Sequence, residues 1–473
     1  MASTAPSFSA QEIVRGASAL TVDSRTIEDG AIFVAMRGLH TDGHEFIDDA
    51  IARGARTIVM EHPRPLPAGV RGIVVSDSAR ALAELGSAFY GAPAAALKLI
   101  GVTGTNGKTT TAQMIAAILN AAGTRTGVIG TLGASIGDYR SPLQNTTPLA
   151  HELHKTLAEL RDHGAAAVVL EVSSHALALD RVAGLRFAVA VLTNVTRDHL
   201  DFHGTFESYA TAKRALFNAC DRAVFNIDDE CGAAWSRAFD PAGTLTYSLR
   251  GNADFVAEDL AVTAHGSRFL VEGRHFEIPL AGRFNVENAL AAIAVARASN
   301  VPLVTAAEAL KTLSQVRGRM EMLESGSLRV FIDYAHTPDA LEAALRSLRE
   351  LAPRVLSVVF GCGGDRDRGK RAEMGAIAAR FAGRIVVTSD NPRGEAPPAI
   401  ARDIVEGIGE AEHEVILDRR IAIEHAIERA SPGEIILVAG KGHERYQILG
   451  NEVVPFDDRA VAITALERSG RAS

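Results

Sequence analysis

The sequence predicts an α/β protein of three domains: a small N-terminal α/β domain, a central domain like a P-loop ATPase with a doubly wound sheet, and a C-terminal Rossmann-like domain. Three observations carry this prediction. The chain has 473 residues, and at roughly 150 residues per domain that length suggests three. Strand-like apolar runs alternate with helix-like stretches along most of it, the pattern of parallel strands joined by crossover helices. One stretch, Leu99-Ile-Gly-Val-Thr-Gly-Thr-Asn-Gly-Lys-Thr-Thr-Thr111, has the strand, glycine-rich loop and helix start of a phosphate-binding loop.

Composition narrows the class. An apolar share of 47% and a charged share of 22% are those of an ordinary globular protein. A net charge of −8 argues against a nucleic-acid partner held by bulk positive charge. Met1 to Ala10 lacks the basic start and apolar run of a signal peptide. No run reaches the ~18 apolar residues of a membrane span, so a cytoplasmic location is expected. Cys220, Cys231 and Cys362 have neither metal-ligand nor disulfide spacing and read as small apolar residues.

In chain order, residues 1–97 read as the first domain. Ala31 to Ala35 and Thr57 to Met60 are strand-like, and Glu45 to Arg53 and Ala79 to Tyr90 are helix-like. Two polar clusters, Asp23-Ser24-Arg25 and the loop Arg37 to His44, are compatible with turn chemistry alone. Pro93 and the alanines Ala94 to Ala96 read as a linker.

Residues 98–317 read as the central domain. In its phosphate loop, backbone N–H groups and the positive end of the following helix would converge on an anion. Lys108 would add a charge at the β- and γ-phosphates of ATP, and Thr109 a hydroxyl toward a divalent cation. The strict Walker pattern would put glycine where this chain has Val102. Two buried-strand runs, Ala166 to Leu170 and Phe187 to Leu192, deliver Glu171-Val-Ser-Ser-His175 and Thr193-Asn-Val-Thr-Arg-Asp-His-Leu-Asp-Phe-His203 at their carboxyl ends. Open α/β sheets bind ligands at that edge. Asn145-Thr-Thr-Pro148 lies between the runs, and Ala223 to Asn226 is a further strand. Asp254 to Pro279 suggests hairpins, and Asn285-Val-Glu-Asn-Ala289 opens a long helix.

Residues 318–473 read as the third domain. Strands at Val330 to Ile332, Val355 to Phe360, Ile385 to Thr388 and Glu434 to Val438 alternate with helices at Leu341 to Leu351 and Ala372 to Phe381. Their ends carry Asp333-Tyr-Ala-His-Thr-Pro338, Gly361-Cys-Gly-Gly-Asp-Arg-Asp367, Asp390-Asn-Pro-Arg393 and Gly440-Lys-Gly-His-Glu444. Any one of these is a plausible turn; four at four strand ends point to a ligand site.

The phosphate loop, Asn-Thr-Thr-Pro, Glu-Val-Ser-Ser-His, Thr-Arg-Asp-His-Leu-Asp-Phe-His-Gly and Asp-Tyr-Ala-His-Thr-Pro, in this order over essentially the whole chain, resemble the Mur ligase family. That family's loop also lacks the extra Walker glycine. The resemblance implies an ATP-dependent amide ligase of peptidoglycan synthesis, expected to be monomeric. Its first domain would hold the UDP part of the substrate, its second ATP and its third the incoming amino acid. Within that family the chain most resembles the branch that adds the third residue, which implies addition of meso-diaminopimelate to UDP-N-acetylmuramoyl-L-alanyl-D-glutamate. ATP would meet Gly104, Thr105, Asn106, Gly107, Lys108, Thr109, Thr110, Asn285 and Asn288, with Arg319 and Asp333 reaching it from the third domain and His336 near that seam. Ser24 and the loop Arg37 to His44 would face the uridine nucleotide, and Thr146, Thr147, Ser173 and Arg181 the muramyl dipeptide. Close relatives carry glutamine at the place of Leu179, and a leucine cannot make that amide's hydrogen bonds. Arg366, Asp390, Asn391, Pro392, Arg393, Gly440 and Glu444 would surround diaminopimelate.

The implied chemistry explains these residue types. A carboxylate must be activated by phosphoryl transfer before an amine can displace its oxygen, and two anions then need cations between them. Lys108 and Mg²⁺ would supply these, with Thr109, Glu171, His199 and Lys213 as the metal-binding set. Sequence alone makes Lys213, in Tyr-Ala-Thr-Ala-Lys213, a solvated helix lysine; the resemblance implies an N6-carboxylysine, a carbamate with carboxylate-like oxygens. The catalytic group is then Lys108, Glu171, His199 and Lys213. An L-lysine-adding ligase of the same family is the alternative reading. Folylpolyglutamate synthase shares the phosphate loop and carbamate, but Asp23-Ser24-Arg25 speaks against it. A P-loop kinase or an ATP-regulated binding module would have no need of a second α/β domain with ligand loops of its own.

Overall fold

The computed structural model describes residues 9–38 and 41–469. Contacts divide the chain into two compact units, one of residues up to Thr103 with 123–191 and 211–223, the other of 104–122, 192–210 and 224–473.

The first unit opens with four parallel strands in chain order, Leu20–Thr21, Ile32–Val34, Thr57–Met60 and Arg71–Val74. The second and third match the predicted runs because they are buried. The first is only two residues long, and the fourth is a largely exposed edge whose pattern does not stand out from a loop. The predicted helix Glu45 to Arg53 is a 3-10 turn, Gly43–Phe46, followed by the helix Ile47–Ala52. Asp42 shapes this start by accepting from the His44 N–H, so the helix proper begins later than its apolar spacing suggests. Asp77 caps Ser78–Phe89 by accepting from the Ala79 and Arg80 amides. The expected linker is a 3-10 turn, Pro93–Ala96.

In the same unit Lys98–Thr103 pairs in parallel with Ala167–Glu171, which pairs in parallel with Thr126–Gly130. Every residue of Ala167–Glu171 is buried, as a strand covered on both faces requires. Gly133–Ile136 and Tyr139–Ser141 then extend the sheet antiparallel, an edge the doubly wound expectation did not contain.

In the second unit the helix Lys108–Ala121 packs on Arg283–Ala298 and Leu303–Lys311. The expected hairpins are the antiparallel strands Glu258–Thr263, Gly266–Val271 and Arg274–Ile278. The C-terminal sheet has six strands in the order Glu321–Ser325, Leu328–Asp333, Ile435–Ala439, Leu356–Phe360, Arg384–Val387 and His413–Val415. The first pair is antiparallel and the rest are parallel. Strand residues alternate between two cores. Phe331, Val358 and Leu437 face the helices Pro338–Glu350, Gly369–Phe381 and Pro397–Ile408. Val330, Ile332, Val359 and Val438 face Arg419–Glu428 and Asp458–Arg468. Because the strands run in parallel, their carboxyl ends share one edge, and all four polar loops read from the sequence leave from it.

A buried ion pair pins that edge. Arg419 and Asp458 are both inaccessible and joined by two hydrogen bonds of 2.7 Å. The remaining Arg419 donors reach Ala439 O at 2.9 Å and Ser389 O at 3.3 Å. One guanidinium therefore ties together the ends of two strands that flank Leu356–Phe360 in the sheet, its charge matched by a bidentate carboxylate.

Candidate functional site

The phosphate loop is held open by side chains from elsewhere in the second unit. Gly107, at φ +86, ends it just before the helix; a Cβ there would collide with Asn288 Oδ1 as well as being strained. Asn194 accepts from the Asn106 N–H at 2.9 Å through its side chain and from the Thr105 N–H at 2.8 Å through its carbonyl. The Thr105 hydroxyl lies 2.8 Å from Tyr209 OH and accepts from the Thr196 N–H at 2.9 Å. Lys108 Nζ donates to Gly104 O and Thr105 O, each at 2.9 Å, which folds the ammonium back over its own loop. Thr109 and Thr110 are buried in the first helical turn. Asn288 accepts from the Thr111 hydroxyl at 3.1 Å and donates to Asn285 Oδ1 at 3.2 Å. Asn285 in turn donates to Ala281 O, so these two expected base-side residues also brace the loop.

From the third domain, Arg319 Nη2 donates to Thr109 Oγ1 at 3.2 Å, and the guanidinium lies 4.6 Å from the Tyr334 ring centroid. Asp333 accepts from the Met320 and Ala335 amides; burial raises its carboxyl pKa, and Arg319 opposes that rise. Burial, and then Lys370, lower the His336 imidazole pKa, and the Lys370 ammonium donates to His336 O at 2.8 Å. His199 has a left-handed backbone, φ +52, and its ring meets Asp198 Oδ2 at 3.3 Å. Burial works to raise the Asp198 carboxyl, but His199, His336 and Lys370 outweigh it and hold the group anionic.

In the first unit, Glu171 is the last residue of its strand and 1% exposed. Its two oxygens accept from the Thr131 amide at 3.0 Å and the Thr131 hydroxyl at 3.1 Å. Thr131 Oγ1 also lies 3.1 Å from Thr146 Oγ1. Thr147 donates to Glu171 O at 2.8 Å and accepts from the Ser173 N–H at 3.1 Å, while Arg181 donates to Thr147 O at 2.8 Å. Glu171, Thr146, Thr147, Ser173 and Arg181 therefore form one network. Leu179 caps the short helix Ser174–Ala178 and is half-buried. Lys213 is 2% exposed, which removes the solvated-lysine reading.

Ser24 is buried in a 3-10 turn and hydrogen-bonds Asp49. Arg37 pairs with Glu61 at 3.3 Å, and His44 Nε2 accepts from the Glu61 N–H at 2.9 Å. Leu39 and His40, within the loop expected at the uridine nucleotide, lie outside the described residues.

The third-domain loops converge. Asn391 Nδ2 donates to Glu444 Oε2 at 3.0 Å, and Gly440 and Asp390 come together beside them. Arg393, at φ +50, donates through Nη1 to Gly364 O at 2.9 Å. It does not pair with Glu395, two residues further along the chain. Glu395 is taken by the inaccessible Arg371, 2.7 Å away, whose hydrogen bonds hold the carboxyl pKa down at about 2. Arg366 is exposed and donates to Asp365 O at 3.1 Å. Sequence reasoning missed Thr131, Asn194, Tyr209, Tyr334, Arg371 and Lys441; Asn194, Tyr209, Tyr334 and Lys441 stand inside stretches already singled out.

No three of His, Cys, Asp and Glu cluster as a metal cage among the described residues. The expected donors are instead one carboxylate, one hydroxyl, one imidazole and Lys213. Lys108→Ala removes the one ammonium in the loop while leaving its bracing side chains in place. We expect kcat to fall by about 10²–10³-fold or more with an unchanged thermal unfolding midpoint; normal turnover would overturn the phosphate-loop assignment.

The chain matches three family descriptions: Mur ligase family, catalytic domain, over residues 17–90; Mur ligase middle domain over 102–296; and Mur ligase, glutamate ligase domain, over 318–442. It is 46% identical to the UDP-N-acetylmuramoyl-L-alanyl-D-glutamate–2,6-diaminopimelate ligase of Geobacillus kaustophilus, covering 96% of this chain and 95% of that one. A solved structure with the same enzyme name aligns at a TM-score of 0.67 and 36% identity, covering 96% and 95% of the two chains. Mycobacterium tuberculosis folylpolyglutamate synthase shares the fold at 20% identity and a TM-score of 0.62, over 83% of this chain and 95% of that one. With the motifs, the three-domain α/β architecture and these matches in agreement, the chain belongs to the Mur ligase family.

Proposed function

We infer that the chain is an ATP-dependent ligase that joins meso-2,6-diaminopimelate to the D-glutamate of UDP-N-acetylmuramoyl-L-alanyl-D-glutamate in peptidoglycan synthesis, as a cytoplasmic monomer. Full-length similarity to enzymes carrying that name supports the substrates. The observation that carries the chemistry is the path Thr109, Arg319, Tyr334, Glu444. Arg319 donates to Thr109 in the phosphate loop and lies on Tyr334, whose hydroxyl is 3.4 Å from the Glu444 carboxylate. A phosphate site and a carboxylate suited to an amine are thus joined by two side chains, as an amide ligase needs and a kinase does not.

We assign residues 1–97 to the UDP part of the substrate, 98–317 to ATP and 318–473 to the amino acid, in keeping with the three matched segments. The D-glutamyl carboxylate attacks the γ-phosphorus and ADP leaves, giving an acyl phosphate. The diaminopimelate amine then adds to the acyl carbon, and phosphate departs as the amide forms. Lys108 neutralises phosphate charge during the transfer. Thr109, Glu171, His199 and a carbamylated Lys213 would hold Mg²⁺, which supplies charge neutralisation between the two anions.

Lys213→Ala should be nearly inactive and partly rescued by short carboxylic acids that occupy the vacated space. Full activity of the unrescued variant would dispose of the carbamate.

Arg393 is the cation placed to meet the distal carboxylate that distinguishes diaminopimelate from L-lysine. Its Nη1 is held by Gly364 O, and no carboxylate pairs with it among the described residues. Lysine would leave this guanidinium without its partner, a penalty of roughly 2–5 kcal/mol. With the UDP-dipeptide and ATP, phosphate release should depend strongly on diaminopimelate, and Arg393→Ala should lose most of that preference. Equal kcat/KM for lysine and diaminopimelate in the unmodified enzyme would favour the lysine-adding alternative.

A further inference from the structure

We propose that Lys441 is a positioning residue that builds the amine-accepting side of the amino-acid pocket by fixing the Asn391 amide and one oxygen of Glu444. The inference rests on the reading of the third domain as the amino-acid site.

The Lys441 side chain is inaccessible, yet its ammonium makes three polar contacts. It donates to Glu444 Oε2 at 2.9 Å and to Asn391 Oδ1 at 3.0 Å, and lies 3.5 Å from Asp390 Oδ1. The Tyr446 ring covers it, with the centroid 5.5 Å from Nζ. A buried ammonium is stable only when its donors are used and its charge is matched, and both conditions are met here. The turn at the end of Ile435–Ala439 directs it inward. Gly442 has φ +52, and a Cβ there would press on Gly318 O and on Tyr334.

These contacts set the orientation of two neighbours. Asn391 Oδ1 accepts from Lys441 Nζ and also from the Ile448 N–H at 3.0 Å. Two donors on one side of the amide leave no choice of flip, so Nδ2 must face Glu444 Oε2, where it donates at 3.0 Å. Glu444 Oε2 thus accepts from both Lys441 and Asn391. Oε1 is left with Tyr334 OH at 3.4 Å, a long hydrogen bond, and is the oxygen with capacity for an incoming amino group. Lys441 also cancels one of two carboxylate charges, so Asp390 and Glu444 can stand in one pocket without driving each other apart. With Arg393 the group sums to zero formal charge, which matches a zwitterionic substrate better than a net anionic pocket would. Lys441 touches no substrate in this scheme; it acts through Asn391 and Glu444.

Lys441→Met keeps the aliphatic stem and removes the ammonium. The KM for diaminopimelate should rise about 10-fold or more, the scale of one lost charge-assisted hydrogen bond. The KM values for ATP and the UDP-dipeptide should stay within about twofold, and kcat should fall by less than the amino-acid KM rises. Lys441→Gln, which retains an N–H donor, should show a smaller rise confined to the same substrate. It also serves as the reading if the methionine variant does not fold. An amino-acid KM within twofold of the unmodified enzyme in a folded variant overturns the proposal. So does a parallel rise of all three KM values, or failure of both variants to fold, since each assigns Lys441 to domain stability instead. If the unmodified enzyme prefers a different amino acid, the same series run with that substrate still tests Lys441. Failure of the substrate assignment is therefore distinct from failure of the positioning role.

Discussion

The guanidinium of Arg319 is the contact on which the proposed chemistry turns. It is held in two ways at once, by a hydrogen bond to the Thr109 hydroxyl and by stacking on Tyr334. An arginine suits this place because its planar cation can lie against a ring while its N–H groups stay directed in the plane. Tyr334 is itself fixed between the Asp333 turn and the Gly442 turn, so Arg319 rests on a rigid surface. An amide ligase must put its phosphoryl donor and its amine within reach of one carboxylate. The Arg319–Tyr334 contact is where this chain links the elements that do so.

Parallel strands make such a link possible. In the C-terminal sheet the four polar loops leave from the carboxyl ends of parallel strands, and the shared direction puts those ends on one edge. The loops are then held by ion pairs as well as by apolar residues such as Ala335 and Cys362 that reach into the core. Arg419 with Asp458 ties two strand ends, and Arg371 with Glu395 ties the Gly361 to Asp367 loop to the segment after Arg393. A guanidinium inside the domain can reach several backbone carbonyls at once, which an aliphatic side chain cannot do. The position of Arg393 follows from this scaffold: with Glu395 committed to Arg371, Arg393 turns to Gly364 O.

Much of the architecture could be read from residues because its central strands are buried on both faces. Ala167–Glu171 and Phe187–Leu192 are near-continuous apolar runs, and their end points were found to within a residue. Elements with one exposed face escaped notice. Arg71–Val74, His413–Val415 and the Tyr446–Leu449 hairpin strand carry mixed patterns that single-sequence periodicity does not separate from loops. The site was legible where motif and strand end coincide, as at Glu171 and Asn391. It was not legible where function depends on burial. Sequence alone made Lys213 a solvated lysine, and it is almost fully covered. Lys441 and Asn194 were inside recognised motifs, but only geometry shows that they orient Glu444 and the phosphate loop. Long-range pairs such as Arg419 with Asp458, 39 residues apart, leave no local signal at all.

Isotope transfer tests most directly whether a phosphorylated carboxylate precedes the amide bond. UDP-dipeptide labelled with ¹⁸O in the D-glutamyl carboxylate that becomes the amide would be turned over with ATP and diaminopimelate, and the released phosphate analysed by mass. An acyl phosphate passes one carboxylate oxygen to phosphorus, so each amide formed should yield one phosphate carrying a single ¹⁸O. Amide formation accompanied by unlabelled phosphate would contradict the account.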